Sequence, residues 1–234
     1  MGAMRRAILY VAGLSLGLSM VWRPTVEPID DLVGRAYAQK PSLPKTALTV
    51  PIMEQEEDYS CGPAALRAVL KYFGVYHGSE QQLYKLLDTS KLQGTLPENL
   101  AVGARRFGLS ATIEQFMTID RLRTLLSSGK LIILELQAWR DAERPTIPWR
   151  DAWDDGHYVV LIALDKEFAY FMDPSTGEAY TYLPLGELVE RWHDLNPIRK
   201  DPRDYRDIQL GVIISGTSRH PPRHRATHRL LRLD

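Results

Sequence analysis

The feature that most constrains this 234-residue chain is its single cysteine, placed where a polar stretch gives way to an apolar helical pattern. The segment reads Gln55-Glu-Glu-Asp-Tyr-Ser-Cys-Gly-Pro-Ala-Ala-Leu66. From Cys61 onward Ala65, Leu66, Val69, Leu70 and Phe73 recur at helical spacing and Gly74 closes the run, which predicts an amphipathic helix with Arg67 and Lys71 off its apolar face. Ser60 is expected to cap this helix, and Pro63 falls in its first turn, where a missing N–H costs little. Cys61 therefore stands at the positive end of a helix, where partial charges and unpaired amides favour a thiolate. The alternative is a small buried hydrophobe, the ordinary fate of a free cysteine.

A second constellation lies in Asp155-Gly-His-Tyr-Val-Val-Leu-Ile-Ala-Leu-Asp165 and Phe168-Ala-Tyr-Phe-Met-Asp-Pro174. Two apolar runs flank a short Asp165-Lys-Glu turn and predict a hairpin. His157 opens the first strand and Asp173 closes the second, so both fall at the open end of the hairpin. A base and the group that fixes its tautomer need that arrangement. Read alone, the pair also fits an edge histidine and a turn-forming Asp-Pro.

These residues together resemble the C39-like peptidases, a branch of the papain-like cysteine peptidases that includes enzymes trimming leader peptides from exported bacterial peptides. Cys-Gly-Pro-Ala-Ala-Leu is similar to the family's nucleophile helix, Gly156-His-Tyr-Val-Val160 to its histidine strand, and Asp173-Pro174 to its third member. The likeness extends over about residues 50 to 214, including Leu92 to Leu109. It implies an α+β papain-like fold, with the nucleophile helix packed on an antiparallel sheet, and cleavage of a peptide or protein substrate without a cofactor or metal. The implied roles are Cys61 as nucleophile, His157 as base, Asp173 as its orienter and Gln55, six residues before the cysteine, as an oxyanion donor. A papain-fold acyl or peptidyl transferase would use the same residues, and a noncatalytic peptide-binding relative would keep the groove.

Composition narrows the classes further. With 44% hydrophobic residues the chain can build one sizeable core and hardly two. Lys+Arg and Asp+Glu both number 29, which predicts no broad attraction to nucleic acid. No phosphate-binding loop, dinucleotide fingerprint or Cys/His cluster of metal-ligand spacing is present. Any exporter or membrane complex acting with the chain is expected to be a separate polypeptide.

The boundaries read from the sequence are 1–38 as a signal sequence or membrane anchor with tether, 39–217 as the papain-like domain, and 218–234 as a basic tail. Arg5 and Arg6 precede an uncharged stretch from Ala7 to Trp22. As a helix it would reach only about 24 Å, short of a hydrocarbon layer of roughly 30 Å. Ala36-Tyr37-Ala38 offers a small-x-small cleavage site well beyond it. A cleaved signal and a retained anchor both place the domain outside the cytoplasm, the second with membrane association through the N-terminus. The tail, with Arg219, Arg223, Arg225, Arg229 and Arg232 against Asp234, reads as solvated and disordered, with Leu230 and Leu231 leaving room for a short docking helix.

Between the motifs, helices are expected over Ser79 to Leu87, Pro97 to Phe107, Ile119 to Leu126 and Leu185 to Trp192. Strands are expected over Leu131 to Leu136, all apolar apart from Glu135, and over Ile208 to Ile214. The loop from Trp139 to Asp155 leads straight into His157 and is rich in aromatic and acidic residues. Trp139, Trp153, Asp154 and Asp155 are therefore expected to form one wall of a substrate cleft, or the tryptophans to pin the loop down.

Overall fold

Why the cysteine sits at a helix mouth is clear from how that helix begins and ends. Helix α1, Cys61–Tyr72, carries Pro63 in its first turn and buries nine of its twelve residues. At its other end Gly74 has φ of 69°, its N–H bonds the Lys71 carbonyl and the Val75 N–H bonds the Leu70 carbonyl. That double bond around a left-handed residue is a glycine-terminated helix end. The same motif closes α3, Pro97–Arg106, at Gly108, and α4, Ile119–Ser127, at Gly129. A short α2, Gln81–Leu86, lies between α1 and α3 in the chain, and α5, Leu185–Arg191, follows later.

The computed structural model describes residues 40–139, 147–196, 205–217 and 229–233. In chain order the strands are β1 Ser110–Glu114, β2 Leu131–Gln137, β3 Gly156–Leu164, β4 Phe168–Met172, β5 Ala179–Pro184, β6 His193–Leu195, β7 Arg206–Ile208, β8 Gly211–Ser215 and β9 Arg229–Arg232. Seven of them form one sheet in the order β1-β8-β2-β3-β4-β5-β9, and β6 pairs with β7 in a separate ribbon. Every pairing in the large sheet is antiparallel except β5 with β9.

Both faces of this sheet are covered, which explains why β2, β3 and β4 are almost wholly apolar instead of alternating. On one face Leu66, Val69, Leu70 and Phe73 of α1 pack with Ile133, Val160, Ile162 and Tyr170. On the other Leu122 and Leu125 of α4, with Leu188 and Trp192, pack with Ile132, Leu134, Val159 and Phe171. Trp192 is fully buried and its Nε1 donates to the Leu210 carbonyl at 2.7 Å, so its one polar atom is satisfied. The result is an α+β fold of helices on a largely antiparallel sheet.

Several expectations are corrected. The run from 208 to 214 is not one strand: Gln209 has φ of 48° and divides it into the ends of β7 and β8. Helix α2 begins at Gln81, not Ser79, and no side chain caps it. Helix α4, expected to be entered through Asp120, is entered through Thr118, whose hydroxyl accepts the Arg121 N–H at 3.1 Å. In the tail, residues 229–232 are neither helix nor disordered. They extend along β5, with Leu230 buried and the Leu233 N–H bonding the Tyr182 carbonyl. The N-terminal segment, with Arg5, Arg6 and Ala7 to Trp22, and residues 218–228 lie outside the described residues.

Candidate active site

Cys61 is half-buried at the first position of α1. The polypeptide before it is fixed by a set of internal bonds. Ser60 is fully buried, and its hydroxyl accepts the Glu57 N–H and donates to the Glu57 carbonyl. It therefore folds the approach to the helix and makes no side-chain cap, contrary to expectation. One residue upstream, the Glu56 N–H bonds Oε1 of the fully buried Glu80, which also accepts the Tyr84 hydroxyl.

Gln55 is tied to the opposite side of the site by its backbone N–H, which bonds the Pro174 carbonyl at 2.9 Å. Its Nε2 donates to the Glu57 carbonyl at 2.9 Å, and its buried Oε1 has no partner among the described residues. A primary amide has two N–H donors, so one remains for a ligand. The first amides of α1 likewise lack intrahelical acceptors.

The hairpin expected from sequence brings His157 and Asp173 together at its open end. His157 is 1% exposed and its Nε2 lies 2.9 Å from Asp173 Oδ1. Asp173 also receives the Ser175 N–H at 2.9 Å, the Ser175 hydroxyl at 2.7 Å and the Thr181 hydroxyl at 3.2 Å. Burial alone would raise the Asp173 pKa. The His157 charge and hydrogen bond, with the Ser175 donors, outweigh it and hold the carboxyl below its ordinary value. For His157, burial favours the neutral ring, but the charge and hydrogen bond of Asp173, joined by those of Cys61, push its pKa up to about 10. With Nε2 engaged by Asp173, Nδ1 is the nitrogen left to face the thiol.

Trp139, the residue after Ala138 at the end of β2, stacks its ring against His157 with centroids 4.6 Å apart. It also lines a groove of about 660 Å³ that runs past Gln55, Asp173 and Thr176. Trp153 goes elsewhere: its ring packs on His193 at 4.2 Å and carries the Arg206 guanidinium, in keeping with a loop pinned down. Asp155 uses its backbone, accepting from the Ala138 N–H and donating to Gln137 Oε1, while Asp154 is exposed. None of Trp153, Asp154 and Asp155 borders that groove or the smaller cavity beside Cys61.

Sequence reasoning did not pick out that smaller cavity. It measures about 90 Å³, and Cys61, Thr95, Glu135, Gly156, Tyr158 and Asp194 are among its lining residues. Glu135 and Tyr158 face each other across β2 and β3, and the Tyr158 hydroxyl donates to the Thr95 carbonyl at 2.9 Å. The usable signal was Glu135 itself, the one charged residue in a wholly buried strand. Among the described residues no group of His, Cys, Asp and Glu is placed to hold a metal ion.

A half-buried thiol at a helix mouth, a carboxylate-bound imidazole on a sheet and a glutamine looped between them lie together on an α+β fold of the papain-like kind. The profile of the peptidase C39 family matches residues 49–198, and the chain belongs to that family. It is 31% identical over 126 residues to an uncharacterized protein of Methanothermobacter marburgensis, covering 54% of this chain and 72% of that protein. A protein of Methanothermobacter thermautotrophicus is 30% identical over the same length and shares. The crystal structure of a protein described as a C39-like peptidase from Bacillus anthracis is similar with a TM-score of 0.53 at 15% identity, covering 75% of this chain and 100% of that one. A double glycine motif protease from an AMS/PCAT transporter, in complex with its leader peptide, matches at a TM-score of 0.47 and 20% identity, over 76% of this chain and 100% of that one.

Proposed function

We propose that the chain is a cysteine peptidase in which Cys61, His157 and Asp173 act as a triad and Gln55 as an oxyanion donor. The observation that carries this reading is the His157 ring, held through Nε2 by a fully hydrogen-bonded Asp173 while its other side interacts with the chain's one thiol. In that arrangement the Cys61 sulfur, as thiolate, attacks a peptide carbonyl carbon and His157 carries the proton. Negative charge builds on the carbonyl oxygen. The free N–H of Gln55 and the backbone N–H of Cys61 are the donors to it, each worth about 3 kcal/mol in comparable hydrolases. His157 then gives its proton to the departing amine as the C–N bond breaks, leaving a thioester. Water, deprotonated by His157, releases the acid and restores the thiol.

The groove past Gln55, Asp173 and Trp139 is the channel for an extended peptide in this reading, with Trp139 shielding the His157–Asp173 bond from water. An extracytoplasmic location, with or without membrane attachment, rests on Arg5, Arg6 and the apolar stretch to Trp22. Among the described residues no helix is long and apolar enough to cross a membrane.

The test uses the single thiol. Cys61→Ser should lower cleavage of a mixed peptide substrate by about 10⁴-fold or more. Iodoacetamide should modify Cys61 faster in the folded chain than in the unfolded one, and this advantage should shrink in His157→Ala. Unchanged cleavage by Cys61→Ser would overturn the mechanism.

A further inference from the structure

The small cavity beside Cys61 brings buried carboxyl groups together with too few described donors to satisfy every oxygen. Glu135 is 7% exposed, and its Oε2 has no hydrogen-bond partner. Tyr158 lies opposite it in register, but the single hydroxyl proton of Tyr158 goes to the Thr95 carbonyl. Asp194, on β6, enters from the other side. Its Oδ1 accepts from Gln137 Nε2 at 3.0 Å and from the Leu195 N–H at 2.8 Å, and its Oδ2 lies where a Cβ on Gly156 would come within 1.8 Å. The two carboxyl groups interact directly, and Asp207 on β7 adds a third charge nearby. Among the described residues no Lys or Arg lines the cavity.

A buried carboxylate oxygen without a donor is costly unless something supplies a proton or a cation. Here the molecule supplies protons. Burial, and then the charges of Asp194 and Asp207, push Glu135 well above the ordinary carboxylate range. Burial likewise pushes Asp194 up to about 6. An ammonium group entering the cavity would replace that shared proton, donate to Glu135 Oε2 and Asp194 Oδ2, and bring its own compensating charge. The volume suits one unbranched side chain, and Cys61 and Gly156 in the wall place it beside the scissile bond.

We propose that this cavity is a specificity subsite for a basic residue, taking the ammonium of a lysine-like side chain between Glu135 and Asp194. The proposal rests on the cysteine-peptidase reading and specifies its substrate class as peptides carrying a cationic residue next to the cleaved bond.

Short peptidyl vinyl sulfones bearing lysine or its uncharged isostere norleucine, at either of the two residues before the electrophile, test it on the full chain. At pH 7.5 the lysine probe should label Cys61 about tenfold to a hundredfold faster at one of those positions, the gain expected of a hydrogen-bonded charge. Glu135→Gln and, separately, Asp194→Asn should each collapse that preference while the rate with iodoacetamide stays within about twofold of the parent, well inside the preference being measured. Equal rates with the two probes in the parent protein, or a preference that survives both substitutions, would overturn the subsite and leave the nucleophile untouched. Iodoacetamide reacting no faster with the folded chain than with the unfolded one would remove the nucleophile reading, and the subsite with it. The parent comparison needs no variant, so a substitution that fails to fold does not protect the proposal.

Discussion

Two buried carboxylate centres lie side by side at one end of the sheet, and they differ in almost everything except burial. Asp173 is surrounded by donors: the His157 ring, the Ser175 amide and hydroxyl, and the Thr181 hydroxyl. Asp194 receives two donors on one oxygen, Gln137 Nε2 and the Leu195 N–H, Glu135 Oε2 receives none among the described residues, and the two carboxyl groups face each other. Adjacent residues of β3 supply a neighbour to each, His157 to the first and Tyr158 to the second. The first centre is consequently held ionised and the second is held partly protonated. Burial sets the penalty for charge in both places, and the count of donors decides whether the charge survives it.

Asp173→Asn should have the largest effect, because it converts the ionised centre into a neutral one without changing its shape. Cleavage should fall by about 10² to 10⁴-fold, the range spanned by losing an oriented base. The His157 pKa, now about 10, should return toward its ordinary 6.5, moving the alkaline limb of the pH–rate profile down with it. The signs for stability follow from the same shifts. His157, raised, contributes stability that is complete below about 6.5 and is lost as pH rises through about 10. Asp173, lowered, contributes stability present above its ordinary 3.8 and lost as pH falls through its folded value. An alkaline limb unmoved in Asp173→Asn would show that Asp173 does not set the charge of His157.

Gln55→Ala probes the ground between the two centres. It removes an amide that bonds Glu57 but leaves every donor to Asp173 in place. Turnover should drop by about 10²-fold through kcat, with iodoacetamide labelling of Cys61 preserved. Loss of labelling as well would mean that the side chain supports the fold of the approach to α1 instead of the transition state.

The smallest effect is expected at the second centre, and with the opposite sign. Glu135→Gln at pH 8 should raise unfolding stability by about 1 kcal/mol, since it removes a buried like-charge contact and keeps the volume. Raised carboxyl pKa values make the folded state bind more protons than the unfolded one, so the parent loses stability as pH rises through the window from about 4 to above 6. Denaturant unfolding at pH 5 and pH 8 should therefore show the gain mainly at pH 8. Destabilisation at both values would place Glu135 with Asp173, as a satisfied structural acid.

The first centre was legible in the sequence because each half of it is local. Cys61 and its helix occupy one stretch, and His157 and Asp173 are the two ends of one hairpin. The second centre was not, because Glu135 and Asp194 meet only through the folding of β6 against the sheet, and nothing in either neighbourhood names the other. Strands β1, β5, β6 and β9 were missed for related reasons. Ala179–Pro184 mixes Thr181 and two tyrosines, Tyr180 and Tyr182, with no strict alternation, and His193–Leu195 is too short to show a period. Gln209 carries a left-handed backbone without being glycine or asparagine, so the break between β7 and β8 left no mark. Ser60 looked like a cap by residue type, but its hydroxyl was committed to Glu57.

The parallel pairing of β9 on β5 has a consequence for how the molecule is made. Strand β5 emerges during translation well before Arg229–Arg232, so its outer rim, from Ala179 to Tyr182, waits bare until those later residues are synthesised. An unpaired rim on a nearly finished sheet is a template for a strand from another nascent copy. Leu231, Arg232 and Leu233 also border the groove beside Asp173, so the wall of that groove is completed only when the same late residues arrive. The order of synthesis thus brings Cys61 and His157 together before the groove beside Asp173 has its last wall.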